Sequence, residues 1–398
     1  MSRAPRVPTV GEDPREGLEL TEPADKIWFR DLDEAVIEAD RCIQCGTCVA
    51  ACPSDSIGVD DLEDRPTLVA MCTGCSRCWD FCPRSGLRYE RVLAEERSAP
   101  TIHAARSRSP PDGAQDGGVV TALLERLLEA GEIDGALVAE EDPNAPLKAR
   151  SVLATDAATL QASAGSGYTQ PMQLGHLEEH LTEAGLEDGS IALVGTPCVI
   201  QGARALERHE WDGEVAAIDL TVALMCTRSF EYPRLTRRLR ETGVDPAACE
   251  RLDVTGGILS AVDETGSVLL ETPVEDFDEA ALRGCAECTD LVGAAADVSA
   301  GSIGSPDGYT TILLNTDRGE RAWETAVDAL ETTAADPEAL QRVDSWNERR
   351  GTAVMPREYD PDGSLGISLT AHREAYEDTD RAPRPLNPAR VHQYERWC

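Results

Sequence analysis

The chain has 398 residues, 41% of them apolar, which is enough for two or three packed units rather than one ordinary core. Its 73 acidic and 37 basic residues give a net charge of -36, with Lys26 and Lys148 as the lysines. Such a surface repels phosphate backbones and anionic lipid, which argues against nucleic-acid binding; periodic apolar runs argue against disorder, leaving a solvated acidic shell suited to a salt-rich, halophilic cytoplasm.

In chain order, residues 1–35 read as a polar arm. No basic and apolar leader opens the sequence, and no apolar stretch approaches the roughly 20 residues of a spanning helix, so a cytoplasmic location is expected. In that compartment the fourteen cysteines are expected to ligate metal rather than form disulfides.

Residues 36–95 contain an internal repeat. Cys42, Cys45, Cys48 and Cys52 recur as Cys72, Cys75, Cys78 and Cys82, and each half reads C-x2-C-x2-C-x3-C-P, closing on Pro53 and Pro83. This is the spacing with which bacterial ferredoxins hold two 4Fe-4S clusters, the fourth cysteine of each run crossing to the other cluster. One cluster is therefore assigned to Cys42, Cys45, Cys48 and Cys82, the other to Cys72, Cys75, Cys78 and Cys52. Two zinc knuckles are the alternative, but zinc sites take cysteine pairs separated by a longer linker. Gly46 and Gly74 let the loops bend toward inorganic sulfide. SIGVDD and RPTLVAM are expected as two short strands, VAACP and WDFCP as short helices, which makes a small α+β module.

Residues 96–115, with RSRSPPDGAQD, read as a linker or crossing loop. From 116 to about 345, alternating strands and helices predict a larger α/β unit, its halves (96–185 and 186–345) meeting near Gly185. DGGVVTALLERLLEAGEIDGALVAEED opens it with a glycine pair, a helix apolar at Val120, Leu123, Leu124, Leu127 and Leu128, and a strand near Ile133–Ala139; Asp116 is a plausible N-cap. Glycines at a helix start can admit a phosphate to exposed amides, although such a pair is common. ASAGSGYTQP follows as a small-residue loop, a ligand contact or an ordinary turn. IALVGTPCVIQGARAL is a buried strand, a turn and a helix carrying Cys198; IDLTVALMCTRSF is a strand ending at Cys226; CAECTD places Cys285 and Cys288 before glycine-rich turns and a strand from Tyr309. Loops after parallel strands gather at one sheet edge, so these four cysteines are a candidate third cluster; buried apolar packing or a redox-active C-x2-C pair are the alternatives. Helices from Trp323 close the unit, and 346–398 is a proline-dotted tail, either wrapping the domain or docking a partner subunit. The six histidines form no ligand cluster or nucleophile triad.

In combination and order, the double C-x2-C-x2-C-x3-C-P, DGGVVTALL, GSGY, VGTPCVIQGARAL, the strand ending at Cys226, and CAECTD with ADVSAGSIGSPDGYTT resemble the family of beta subunits of coenzyme F420-reducing hydrogenase and F420 dehydrogenases. The likeness runs from about Ile43 to Thr316. It implies an α+β protein in which the two-cluster ferredoxin module joins a larger α/β flavin-binding catalytic domain. It further implies FAD, hydride exchange with coenzyme F420 as substrate, a third cluster on Cys198, Cys226, Cys285 and Cys288 with Asp290 as a replacement ligand, and delivery of single electrons to a redox partner subunit. Flavin is needed because a deazaflavin moves two electrons together and a cubane accepts one. Flavin contacts implied by the resemblance are Gly117, Gly118 and Thr121, Ser166 and Tyr168, and Ser302, Gly304 and Ser305. Arg150, Arg204 and Arg228 are candidates for the anionic tail of coenzyme F420, each weighed against a plain salt-paired arginine. An electron-carrier subunit without F420 chemistry and a ferredoxin-dependent flavin reductase are the other readings. A sulfite reductase is disfavoured, since no sirohaem cysteine set remains.

Overall fold

The computed structural model describes residues 28–60, 64–84, 100–208 and 213–354; residues 1–27 of the expected polar arm and most of the tail lie outside them, whereas residues 28–35 of that arm are described and bury Phe29, Leu32 and Ala35. The first segment begins with a short helix, α1 (Phe29–Leu32), running into a wide turn at Asp33–Ile37. Each half of the cysteine repeat then forms one helical turn, α2 (Thr47–Ala50) and α3 (Arg77–Asp80), and between them β1 (Ile57–Asp60) pairs antiparallel with β2 (Arg65–Leu68). The expected α+β module is present.

The rest is built on one eight-stranded mixed sheet. It contains β3 (Thr101–Ser107), β4 (Gly135–Asp142), β5 (Ala145–Ala154), β6 (Ile191–Gly195), β7 (Ile218–Leu224), β11 (Val298–Gly301), β12 (Thr310–Leu314) and β13 (Leu330–Thr333), in spatial order β13-β3-β12-β11-β7-β6-β4-β5. The four inner strands β4, β6, β7 and β11 run parallel, flanked by antiparallel neighbours. The segment read as a linker thus differs from expectation: Thr101–Ser107 pairs with β12 and β13. Ala104 and Ala105 are buried against the sheet, and a loop follows the strand. Nor do the two halves form separate bodies, because β4 of the first lies beside β6 of the second.

Alternation decides what covers each face. Ala192 and Val194 of β6 point to a core filled by α4 (Val119–Ala130), α5 (Ala157–Ala162) and α9 (Asp317–Ala326). Ile191 and Leu193 point the other way, to α6 (Leu177–Ala184) and α7 (Pro197–Arg208). The second core also takes in Ile43, Cys45, Ala51 and Phe81, so the cysteine module shares apolar packing with the sheet. Close approach makes this fit: a Cβ on Gly202 of α7 would lie 1.9 Å from Thr47 Oγ1, and one on Gly284 2.2 Å from the Arg41 carbonyl oxygen. A second layer, α8 (Tyr232–Glu241) with the antiparallel strands β8 (Arg251–Thr255), β9 (Ile258–Val262) and β10 (Val268–Pro273), encloses a separate core around Phe230 and Phe277. The last described helix is α10 (Pro337–Ala353), which Asp336 caps through the amides of Glu338 and Ala339.

Candidate redox site

Within the module, electrostatic coupling groups the cysteines as the repeat requires. Burial pushes the Cys42 thiol up to about 12, with Cys45 and Cys82 adding to the shift. Burial raises Cys48 as well, and Cys42, Cys45 and Cys82 contribute. For Cys78 the added repulsion comes first from Cys72, Cys75 and Cys52. Cys82 thus acts on Cys42 and Cys48 of the first run, and Cys52 acts on Cys78 of the second. Cys42, Cys48 and Cys78 therefore resist ionisation in the free protein; the positive charge of bound iron is what would hold them as thiolates. Backbone amides already point at the sulfurs: Gln44 N–H donates to Cys42 Sγ at 3.4 Å, Ser56 to Cys52 at 3.3 Å, Gly74 to Cys72 at 3.4 Å and Arg84 to Cys82 at 3.4 Å. Gly46, at φ 81°, supplies the left-handed turn this loop needs. Donor type, crossing pattern and amide supply fit a pair of cubanes. Cys52, Cys72, Cys75 and Cys78 line a small recess, with Cys75 exposed.

The other four cysteines arrive from three elements. Thr196 accepts the first amide bonds of α7 from Val199 and Ile200, Pro197 begins the helix, and Cys198 follows. Cys226 lies just beyond β7, its N–H bonded to the Leu291 carbonyl at 3.0 Å. Cys285 and Cys288 sit on and just after the tight helical turn Arg283–Glu287. Short backbone ladders stitch these loops together: Phe230 N–H donates to Tyr168 O at 2.7 Å, Glu231 to Ala280 O at 2.9 Å and Leu282 to Ser229 O at 2.9 Å. The result is a second buried thiol set. Burial pushes Cys226 up to about 12, Cys285 and Cys288 adding to it, and Cys288 up to about 11. Burial also raises Cys198, and its strongest thiol neighbour is Cys45 of the module, ahead of Cys285 and Cys288. The two regions therefore meet at Cys45 and Cys198.

Asp290, considered as a replacement ligand, is engaged elsewhere: Oδ2 accepts from Gln201 at 2.8 Å, and Oδ1 from the amides of Gly293 at 2.7 Å and Ala294 at 3.1 Å. A carboxylate so bonded organises its own loop.

The flavin-contact residues divide. The start of β12 and the end of β3 reach the same sheet edge as the ends of β6, β7 and β11, so the loops carrying Gly117, Ser166 and Ser302 share one side of the molecule. There, however, the glycine pair serves packing: a Cβ on Gly117 would lie 2.5 Å from Ala105 O, and its N–H donates to Thr310 Oγ1. Gly118, not Asp116, is the N-cap of α4, at φ 64°. Thr121 is half-buried. The Tyr168 hydroxyl accepts from the Val254 amide at 2.9 Å and pairs with Gln115, while burial raises its pKa to about 12. Ser305 Oγ donates to Ser302 O and Tyr309 O within its turn, and Gly304 O accepts from Asp336 N–H. Ser166 and Ser302 are exposed. Sequence reasoning missed Gln170, which is buried between these loops: its Nε2 donates to Thr196 Oγ1 at 2.8 Å and Ser229 Oγ at 3.2 Å and lies 3.7 Å from Cys198 Sγ, while its Oε1 has no partner among the described residues. An orphaned buried acceptor at the inner end of the GSGY loop suits a ligand N–H.

Of the arginines, Arg150 pairs with Glu140 across β4 and β5. Arg204, half-buried, pairs with Asp297 just before β11 and therefore lies at the opposite edge of the sheet. Arg228 lies beside the cysteines and is ion-paired with Asp278; burial lowers its pKa and nearby Arg350 lowers it further, and the Nε atoms of Arg228 and Arg350 have no hydrogen-bond partner among the described residues. Arg350, missed in the sequence, reaches back from α10 to Thr227 O at 2.9 Å.

Comparison with known proteins supplies the family context. Residues 102–178 and 188–339 match the N-terminal and C-terminal models of the coenzyme F420 hydrogenase/dehydrogenase beta subunit, and residues 35–87 match a 4Fe-4S dicluster domain. The chain is 32% identical over 220 residues to the beta subunit of a coenzyme F420 hydrogenase of Methanothermobacter thermautotrophicus, covering 54% of this chain and 76% of that protein. It is 27% identical over 330 residues to one subunit of the F(420)H(2) dehydrogenase of Methanosarcina mazei, covering 80% and 92%. A coenzyme F420-dependent sulfite reductase of Methanocaldococcus jannaschii is 33% identical over 298 residues, 72% of this chain but 46% of that protein. A chain in the F420-reducing NiFe hydrogenase complex from Methanosarcina barkeri superposes with a TM-score of 0.59 at 27% identity, over 64% of this chain and 90% of that one. No helix among the described residues is long and apolar enough to cross a membrane.

Proposed function

Because the chain belongs to the family of coenzyme F420 hydrogenase/dehydrogenase beta subunits, whose named members are oxidoreductases, we propose that it exchanges a hydride with coenzyme F420 at a bound FAD and passes electrons singly through 4Fe-4S clusters to a partner subunit. FAD, when bound, would supply the conversion between two-electron and one-electron transfer. The observation that carries this reading is the run of buried thiol sets from the sheet edge outward: Cys198, Cys226, Cys285 and Cys288, then Cys45 with Cys42, Cys48 and Cys82, then the set ending at exposed Cys75. Gln170 links the GSGY loop to Cys198, so a ligand held by that loop would lie against the first set.

This chain's residues supply position and charge. Arg350, with Arg228 ion-paired to Asp278 next to it, places positive charge beside Cys226, where the phosphate or glutamate tail of coenzyme F420 would compete with Asp278 for Arg228. Gln170 Oε1 offers the ligand a hydrogen-bond acceptor, and direct hydride transfer needs no general acid or base. The test is anaerobic addition of reduced coenzyme F420 to the cluster-replete protein. Bleaching of flavin absorbance followed by cluster reduction is expected; an unchanged spectrum with flavin present would leave a subunit that only carries electrons.

A further inference from the structure

The charges buried between the module and the large domain have no part in that scheme so far. Arg41, Arg84 and Glu287 are 1%, 2% and 0% exposed. Arg41 binds Glu287 through two of its nitrogens, Nε at 3.2 Å and Nη2 at 2.9 Å. Arg84 is different. Its Nε donates to Gly284 O at 2.7 Å and its Nη1 to Pro83 O at 3.1 Å; its carbonyl accepts from Arg41 Nη2, and its amide faces Cys82 Sγ. The guanidinium thus bridges the residue after one cysteine run and the residue before Cys285. A buried cation bonded to neutral carbonyls needs negative charge close by. Cys288, Glu287, Cys198 and Cys285 lie close enough to act on its charge.

We propose that Arg84 is a redox-tuning residue: its fixed charge, wedged between the module and the large domain, raises the reduction potential of a cluster held by Cys198, Cys226, Cys285 and Cys288. The inference rests on the proposed electron path. Positive charge near a cluster favours the reduced, more negative state, and in a buried setting one charge at several ångströms is worth a tenfold or larger factor. Glu287 has the opposite sign in the same place.

The test is an EPR-monitored redox titration of the full chain, anaerobically reconstituted, with iron measured for each variant. Arg84→Gln should keep about twelve irons per chain and lower the equilibrium constant for reducing this cluster about tenfold or more. Arg84→Lys should restore it to within about threefold, and Glu287→Gln should move it upward. An unchanged potential in Arg84→Gln, or equal downward shifts in all three variants, would overturn the proposal. Should Arg84→Gln fail to fold, the opposed outcomes for Arg84→Lys and Glu287→Gln decide. Wild-type protein with about eight irons would remove the third cluster and this role with it, and that failure is seen before any variant is made.

Discussion

The module and the large domain both gather buried thiols, by different means. In the module, every candidate ligand lies between Cys42 and Cys82, and sulfurs meet amides of their own loops, such as Gln44 N–H on Cys42 and Gly74 N–H on Cys72. In the large domain the thiols are separated by most of the fold, and their neighbours are side chains and carbonyls: Thr196 Oγ1 3.1 Å from Cys198, Arg228 O 3.4 Å from Cys226, Asp290 O 3.4 Å from Cys288. A local loop can take up its metal as it closes, whereas a set assembled from three elements exists only once the sheet, α7 and the 280–290 segment have packed. The first depends on spacing and the second on tertiary structure.

The largest expected effect separates the two regions by metal content. Cys226→Ser should lower iron from about twelve to about eight atoms per chain while the module's clusters persist; loss of all iron would mean that the regions do not load independently. Next, Gly202→Val forces a side chain onto Thr47, 1.9 Å from the added Cβ, and should cost about 1–3 kcal/mol. A lower melting temperature together with protease cleavage near the module would mark the shared core as the failing element. Gln170→Leu strips Thr196 and Ser229 of their donor at a cost of about 1–3 kcal/mol; flavin content measured beside the melt shows whether the orphaned Oε1 serves the ligand or only the loops. The smallest effect concerns Asp344 on α10, whose pKa is raised to about 6 by burial, with Asp290 and Glu348 adding to it. From the ordinary value of 3.8 up to about 6, the folded chain keeps a proton that the unfolded chain has lost, so this residue makes stability fall as pH rises through that window. Asp344→Asn should therefore stabilise the protein above pH 6 by about 1 kcal/mol after solvent screening and do little near pH 4. Melts across that range would check it.

What was legible followed the same division. The repeat announced its helices and its hairpin, because both are written in spacing. The runs IALVG and IDLTVAL announced β6 and β7, since strands covered on both faces are continuously apolar. The third thiol set was only one of several readings until loops distant in sequence were stitched through Phe230 and Ser229. Thr101–Ser107 was read as part of a linker because the Pro and Ser residues after it dominated the composition, while its strand character depends on partners two hundred residues away. Asp116 had the chemistry of a cap, but Gly118 took the position because Gly117 must sit flush on β3. Arg41, Arg84 and Glu287 were not noticed, although a signal existed: in a chain poor in cations, two arginines sit at the outer margins of the cysteine runs, and the acid lies inside C-x2-C.

The apolar packing that Ile43, Cys45, Ala51 and Phe81 share with the sheet also bears on rates. A carrier domain on a tether must swing to deliver its charge, and viscous solvent slows it; here side chains rather than a hinge set the separation. Passage between Cys198 and Cys45 should then proceed at the same speed in glycerol as in water, and even in a frozen glass.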